Sequence, residues 1–303
     1  MALPARKTGM IDRDLALFPG WQLGSAPQRK RIERRDLLGA IARAERAPLG
    51  EPELDALTWL TQEWWDQGGS VDGRVRFTWY ELGRDLYGRE RAGWSPSGRH
   101  RQLMQDAIDN LHAVVITLTC VNVLTGESGP TLRSKVHILE SVVDHDQLQL
   151  FRAGQADAAS IGALRHDTVE IKLADWLVRQ LLGGSLVLDW RTLRRLSGTA
   201  KRLWYYLGAR SDEFGPGALP GEVALAIDLR PDLYASLNLR AARERDNRAA
   251  LRAASQRINH TDPSYVKLTV VRNPGHEAYQ LRVTRRRAGL VDTAVIEGTA
   301  VTT

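Results

Sequence analysis

Residues 83–88 read Gly83-Arg84-Asp85-Leu86-Tyr87-Gly88, and residues 230–235 read Arg230-Pro231-Asp232-Leu233-Tyr234-Ala235. From Tyr87 to Tyr234 is a step of 147 residues. Outward from the two Asp-Leu-Tyr triplets, the same gapless step sets Leu82 on Leu229, Met104 on Leu251, Ala107 on Ala254 and Leu111 on Ile258. Upstream it sets Leu57 on Trp204, Trp59 on Tyr206 and Leu60 on Leu207, and it also matches Arg101 with Arg248. A shared triplet alone means little. An apolar pattern held over about fifty residues reads as a duplicated domain.

The first copy spells out its elements. Pro52 suits a helix start, and Leu54, Leu57, Trp64 and Trp65 keep helical spacing as far as Gly68-Gly69. Val75-Arg76-Phe77 is a short strand. Thr78 with Glu81 forms a capping box for a second helix, which Gly88 ends. After the loop at 89–97 a third helix is predicted from about Ser97 to Leu111. Two β-branched runs follow, at 114–123 and 132–143, joined by the turn-rich residues 125–130 as a hairpin. The second copy repeats this order, with helices at 200–211, 230–237 and 241–258, a strand at 223–226 and strands at 266–272 and 279–285 around the turn at 273–276. The predicted fold class is therefore α+β, with two winged helix-turn-helix domains in tandem. The expected organisation is a basic N-terminal segment (1–50), a first winged domain (51–143), a connecting segment (144–198), a second winged domain (199–288) and a flexible tail (289–303). Within the connector, a polar loop at 144–167 precedes a strand at 169–171 and helices at 173–182 and 190–196.

The 303 residues suffice for two cores of ordinary size, and 43% hydrophobic with 26% charged residues is a globular balance. A formal net charge of +6 favours a polyanionic partner. The positive charge is nearly all arginine, which suits phosphates and guanine edges and equally reflects codon usage in a high-GC genome. A single cysteine, Cys120, excludes an intramolecular disulfide and a thiolate metal cluster. No signal pattern or membrane-spanning apolar stretch is visible, so a cytoplasmic protein without a membrane partner is expected.

In a helix-turn-helix the third helix enters the major groove. In the second copy that helix carries Arg245, Arg248 and Arg252 on one face, with Gln256 beside them, opposite the apolar Leu251, Ala254 and Ile258. These three arginines are the leading candidates for contact with double-stranded DNA. The competing reading is a solvated helix whose arginines pair with acids such as Glu244. In the first copy Arg99, His100 and Arg101 open the third helix, where reach into a groove is best, and are further candidate DNA contacts; Asp106 and Asp109 nearer its end would repel phosphate, so that module is expected to contribute mainly contacts to protein or to the DNA backbone. The second hairpin adds Lys267, Arg272, Arg282, Arg285, Arg286 and Arg287. Of these Lys267, Arg272, Arg285 and Arg286 are expected DNA contacts, although Arg282 and Arg285 must face opposite ways in a strand.

On these residues the chain resembles the plasmid replication initiators with tandem winged-helix domains. The segments VRFTWYELGRDLYG (75–88), SGRHRQLMQDAIDNLHAVVITL (97–118) and VEIKLADWLVRQLLGGSLVLDWRTLRRLSGTAKRLWYYLGAR (169–210) carry the likeness, which covers about residues 55–285. The resemblance implies binding to repeated origin sequences and recruitment of host replication proteins such as a helicase or initiator. It also implies a homodimer that represses its own promoter alongside a monomer that opens the origin. A plasmid or phage transcriptional repressor would use the same fold and remains the alternative.

Catalysis is not expected. There is no phosphate-binding G-x-x-x-x-G-K-[ST] loop and no H-E-x-x-H pair. Asp144-His145-Asp146 reads as a solvated loop rather than a metal site, and no cofactor or metal is expected. Tyr205-Tyr206 suggests a nicking nucleophile, but the histidine pair such an enzyme needs is missing, and Tyr206 falls on the core position of Trp59.

Overall fold

The computed structural model describes residues 8–17, 34–35, 41–45, 49–88, 96–120, 132–144, 168–239, 241, 243–273 and 278–286. In chain order, β1 (Thr8–Asp12) and α1 (Arg13–Leu17) come first, then β2 (Arg34–Arg35) and β3 (Ile41–Glu45). The first copy holds α2 (Glu51–Asp66), β4 (Arg74–Thr78), α3 (Trp79–Tyr87), α4 (Gly98–Ala113), β5 (Val115–Cys120), β6 (Leu132–His137) and β7 (Leu139–Asp144). β8 (Thr168–Leu173), α5 (Asp175–Gly183), β9 (Ser185–Asp189) and α6 (Trp190–Arg195) connect it to the second copy. That copy holds α7 (Gly198–Ala209), a 3-10 turn at Ser211–Glu213, β10 (Gly215–Pro216), β11 (Glu222–Asp228), α8 (Pro231–Ser236), α9 (Glu244–Thr261), β12 (Tyr265–Arg272) and β13 (Tyr279–Arg286). The chain is thus mixed α+β, and the order helix, strand, helix, helix, hairpin occurs twice. Arg29, Lys30 and Arg31 of the basic N-terminal segment, the turn at 125–130, the polar loop from His145 to Asp167, Arg287 and the tail lie outside the described residues.

The repeat has physical content. Met104 and Leu251, Ala107 and Ala254, and Leu111 and Ile258 are buried pairwise on α4 and α9. The predicted capping box forms: Glu81 N donates to Thr78 Oγ1 at 3.1 Å and Thr78 N to Glu81 Oε2 at 2.8 Å. The Asp-Leu-Tyr triplets differ in use. Asp85 is buried and accepts from Trp59 Nε1 (3.0 Å) and Arg84 Nε (2.9 Å), whereas Asp232 is exposed. What the two share is the tyrosine beside the start of the third helix. Tyr87 stacks on His100 with 5.0 Å between ring centres, and Tyr234 OH reaches Glu244 at 3.4 Å.

The sheets of the two copies are not built alike. In the second copy the order is β10-β11-β13-β12, antiparallel, so the strand before α8 pairs directly with the hairpin. In the first copy β8 of the connecting segment lies between β4 and β7. The strand expected at 169–171 is therefore part of the first module's sheet. β5 and β6 pair as the expected hairpin, with β3 on the far edge of β5.

The N-terminal segment is more than a basic appendage. β1 pairs antiparallel with β9, Met10 opposite Val187, and Met10, Ile11, Leu15, Ala16 and Leu49 are buried. The strand runs so close to α2 and α6 that a Cβ on Gly9 would lie 2.8 Å from Thr58 Cγ2 and 2.9 Å from the Trp190 ring. A five-residue strand whose partner is more than 170 positions away leaves no local periodicity to read.

The copies meet through their first helices. Gly198 N donates to Glu51 Oε2 at 3.0 Å, and the Thr58 and Tyr205 hydroxyls share a 2.8 Å hydrogen bond. Both pairs are separated by 147 residues, so equivalent positions of the two copies touch, the relation that a two-fold axis imposes on a symmetric contact. Lys201, whose side chain is 2% exposed, reaches Asp55 at 2.8 Å and Glu51 at 2.9 Å. Burial pushes the Asp55 carboxyl up to about 6 against the pull of Lys201. The charge of Lys201 is held by the two acids, which raise its pKa against the cost of burial.

Candidate nucleic-acid interface

Helix α9 is fixed at its N-terminus by its own side chains. Asn247 is buried, and its Oδ1 accepts from Ala241 N at 3.0 Å. Glu244 pairs with Arg248 at 2.8 Å. One face of the helix, Asn247, Leu251, Ala254, Ser255 and Ile258, is buried. On the opposite face Arg245, Ala249, Arg252, Ala253 and Gln256 are exposed. At 100° per residue Arg252, Arg245, Gln256 and Ala249 fall within an arc of about 60°. The observed helix begins three residues later than predicted, at Glu244 rather than Ala241.

Arg248 stands apart from this stripe. It lies about 40° beyond Arg252 on the helical wheel. Its side chain is 19% exposed, and its guanidinium sits 4.3 Å from the ring centre of Tyr279, the first residue of β13. On the same flank Asn259 Nδ2 donates to Leu268 O of β12 at 3.0 Å. The three arginines read from the sequence as one group therefore divide. Arg245 and Arg252 are open to solvent, and Arg248 ties the helix to the hairpin.

The hairpin also divides the predicted contacts. Arg272 is exposed at its tip, opposite Tyr279 in the strand register, the residue whose ring Arg248 covers. Lys267 and Arg286 are exposed but lie five and seven residues back along the strands, about 17 and 24 Å from the tip at the strand rise of ~3.4 Å per residue. Arg285 is corrected outright. It is 8% exposed, on the inner side with Leu281 and Val283. Its guanidinium lies 4.5 Å from the ring centre of Tyr265 and reaches Ser264 Oγ at 3.3 Å. Such a residue braces the base of the hairpin and is not available to a phosphate. It contributes to one wall of a cavity of about 320 Å³ with Trp204, Asp262 and Tyr265; burial pushes the Tyr265 phenol up to about 12.

In the first copy the third helix is unlike its partner. Under the 147-residue step Ala249, Arg252, Ala253 and Gln256 become Gln102, Gln105, Asp106 and Asp109. Asp106 and Asp109 are exposed, as is Leu103. Arg99 is exposed at the helix start, and Arg101 is half-buried. His100 is engaged as the capping-box partner of Ser97. Its Nδ1 accepts from Ser97 N at 3.2 Å while its ring stacks on Tyr87. His100 and Asn247 are equivalent positions, and each anchors the start of its helix.

The tyrosine pair is buried. Tyr205 is bonded to Thr58, and Tyr206 accepts from Arg210. Among the described residues no group of three or more His, Cys, Asp or Glu side chains is placed to hold a metal, and no helix is long and apolar enough to cross a membrane. Sequence reasoning missed Tyr279, Ala249 and Ala253. The alanines were visible as small residues in phase with Arg245 and Arg252, whereas the reach of Tyr279 depends on how the hairpin folds back.

No family model matches the chain, and no curated protein matches it. Solved structures do. The chain is similar to a selenomethionine derivative of domains 2 and 3 of RctB, with a TM-score of 0.55 and 13% identity, covering 90% of this chain and 97% of that one. It is also similar to RctB domains 2-3, spanning residues 155–483 of RctB, with a TM-score of 0.53 and 12% identity over 89% and 96% of the two chains. At such identity the likeness is one of fold, and it runs through both copies and the segment between them.

Proposed function

We propose that the chain is a double-stranded-DNA-binding replication initiator made of two winged helix-turn-helix modules in tandem, the second of which reads DNA. The observation that carries this reading is the exposed stripe Arg245, Ala249, Arg252, Ala253 and Gln256 on α9, flanked by the hairpin tip with Arg272. A third helix that bares cations and small residues, with a wing alongside, suits a major groove and its phosphates. The resemblance to plasmid initiators favours initiator over repressor, and the fold shared with domains 2 and 3 of RctB agrees with either. On this reading the chain binds repeated sites at an origin and recruits host replication proteins. The first-module helix, with Asp106 and Asp109 exposed where the second has Ala253 and Gln256, is left mainly to protein contacts, a homodimer among them. The chemistry is binding without catalysis.

Footprinting on the DNA that flanks the gene tests the reading. Protection of direct repeats spaced by about two helical turns, roughly twenty base pairs, is expected. Protection of a single inverted repeat would favour a repressor. Affinity should also fall steeply with salt, because each phosphate contact releases counterions and contributes about −0.9 to the log-log slope. A salt-insensitive affinity would refute DNA as the partner.

A further inference from the structure

We propose that base reading and reader positioning are separate jobs on α9. Arg252, flanked by Ala249 and Ala253, reads a guanine, and Gln256 reads an adenine. Arg248 does not read a base; it is a positioning residue that holds the wing against the helix through Tyr279. This assignment rests on the DNA-binding reading above.

Three observations carry it. The first is the division of the arginines. Arg248 is mostly covered, with its charge held by Glu244 at 2.8 Å and its guanidinium plane on Tyr279 at 4.3 Å. Arg252 is exposed at the middle of the open stripe. A guanidinium must present two adjacent N–H groups to O6 and N7 of guanine, which an arginine engaged on both sides does poorly and an open one does well. The second is the size of the neighbours. Ala249 and Ala253 carry only methyl groups on the exposed face, so the helix backbone can approach the base edges closely, and those methyls suit the thymine C5-methyl. Gln256 lies one turn beyond Arg252, about 6 Å along the helix, or just under two base-pair rises of ~3.4 Å. The third is the contrast between copies. The first module keeps Arg101 at the position of Arg248, but Leu132 stands where Tyr279 stands, and Gln105 and Asp106 replace Arg252 and Ala253. The first module's sequence thus lacks the clamp's tyrosine and the reader pair together, and its third helix balances Arg99 and Arg101 against Asp106 and Asp109. The stripe from Arg245 to Gln256 spans eleven helical rises, about 16 Å, so it covers at most about five base pairs.

Selection from a pool of randomised DNA duplexes by the full chain tests the proposal. The wild-type chain should select a motif containing a guanine and an adenine about two base pairs apart. Arg252→Ala should relax the preference at the guanine alone, with a loss of discrimination of about 5- to 150-fold, the range of one bidentate contact. Arg248→Ala should select the same motif with weaker binding to every sequence. Tyr279→Ala should reproduce that loss, Tyr279→Phe should restore wild-type affinity, and the double Arg248→Ala, Tyr279→Ala variant should be no worse than either single one. A motif untouched by Arg252→Ala, or one that Arg248→Ala alters at a single position, overturns the assignment while leaving DNA binding intact. A wild-type chain that selects no motif overturns the DNA-reading function itself.

Discussion

Replacing Lys201 by methionine tests the contact between the two copies. The ammonium is 2% exposed and lies 2.8 Å from Asp55 and 2.9 Å from Glu51. Methionine keeps the length of the stem and removes the charge. Asp55 and Glu51, with side chains 20% and 28% exposed, are then left as adjoining carboxylates without their cation. Removing one partner of a buried pair costs about 3–5 kcal/mol, because the charge that stays behind has no compensation. The cost must depend on pH. Asp55 is pushed up to about 6 by burial even with Lys201 present. The folded state therefore holds a proton between about pH 4 and 6 that the unfolded chain releases, and stability falls as pH rises through that window. This group alone contributes a decline of about 3 kcal/mol, from a shift of some two units at 1.36 kcal/mol each. Without Lys201 the Asp55 carboxyl rises further, so at pH 5 it is neutral and the substitution costs less than at pH 7. Urea unfolding of wild type, Lys201→Met and Asp55→Asn at both pH values measures this. Carboxylates held low by cations, such as the half-buried Glu170 beside Arg76 and Arg74, lose their contribution as pH falls, so the comparison uses differences from wild type. A cost below about 1 kcal/mol at pH 7, or one that does not shrink at pH 5, refutes the reasoning.

Other substitutions probe the modules separately. Asp85→Ala removes the acceptor of Trp59 Nε1 and Arg84 in a buried setting, and should cost about 1–3 kcal/mol by denaturant unfolding. His100→Ala leaves the Ser97 cap and removes its capping-box partner and the stack on Tyr87, and should cost about 1 kcal/mol, with affinity for the footprinted site unchanged; a selective loss of DNA binding would place His100 at the interface. Gly73 has φ +69°, and a Cβ there would meet Leu173 O at 2.8 Å, so Gly73→Ala should lower the melting temperature and loosen the β4 end of the sheet in hydrogen exchange.

The repeat made much of the fold legible, because apolar spacing on a helix survives when most other residues change. Met104, Ala107 and Leu111 announce the same buried face as Leu251, Ala254 and Ile258. Partner choice among strands was not legible. Residues 168–173 alternate as a strand should, but nothing local says that they lie between β4 and β7. Arg285 could have been placed better, since it shares the alternation phase of Leu281 and Val283. The pairing of Arg248 with Glu244 was visible as a four-residue spacing, but its stacking on Tyr279 joins residues 31 positions apart through a folded hairpin.

The contact between equivalent positions of α2 and α7 has a consequence for how strong it must be. Two separate chains meeting through such faces would have to overcome the loss of free diffusion. Here the connecting segment keeps the partners at millimolar effective concentration, so a contact too weak to assemble free modules is still populated. Tethering also means that each side changes independently. Under the 147-residue step Asp55 corresponds to Arg202 and Lys201 to Leu54, so the acids have collected on one helix and their cation on the other.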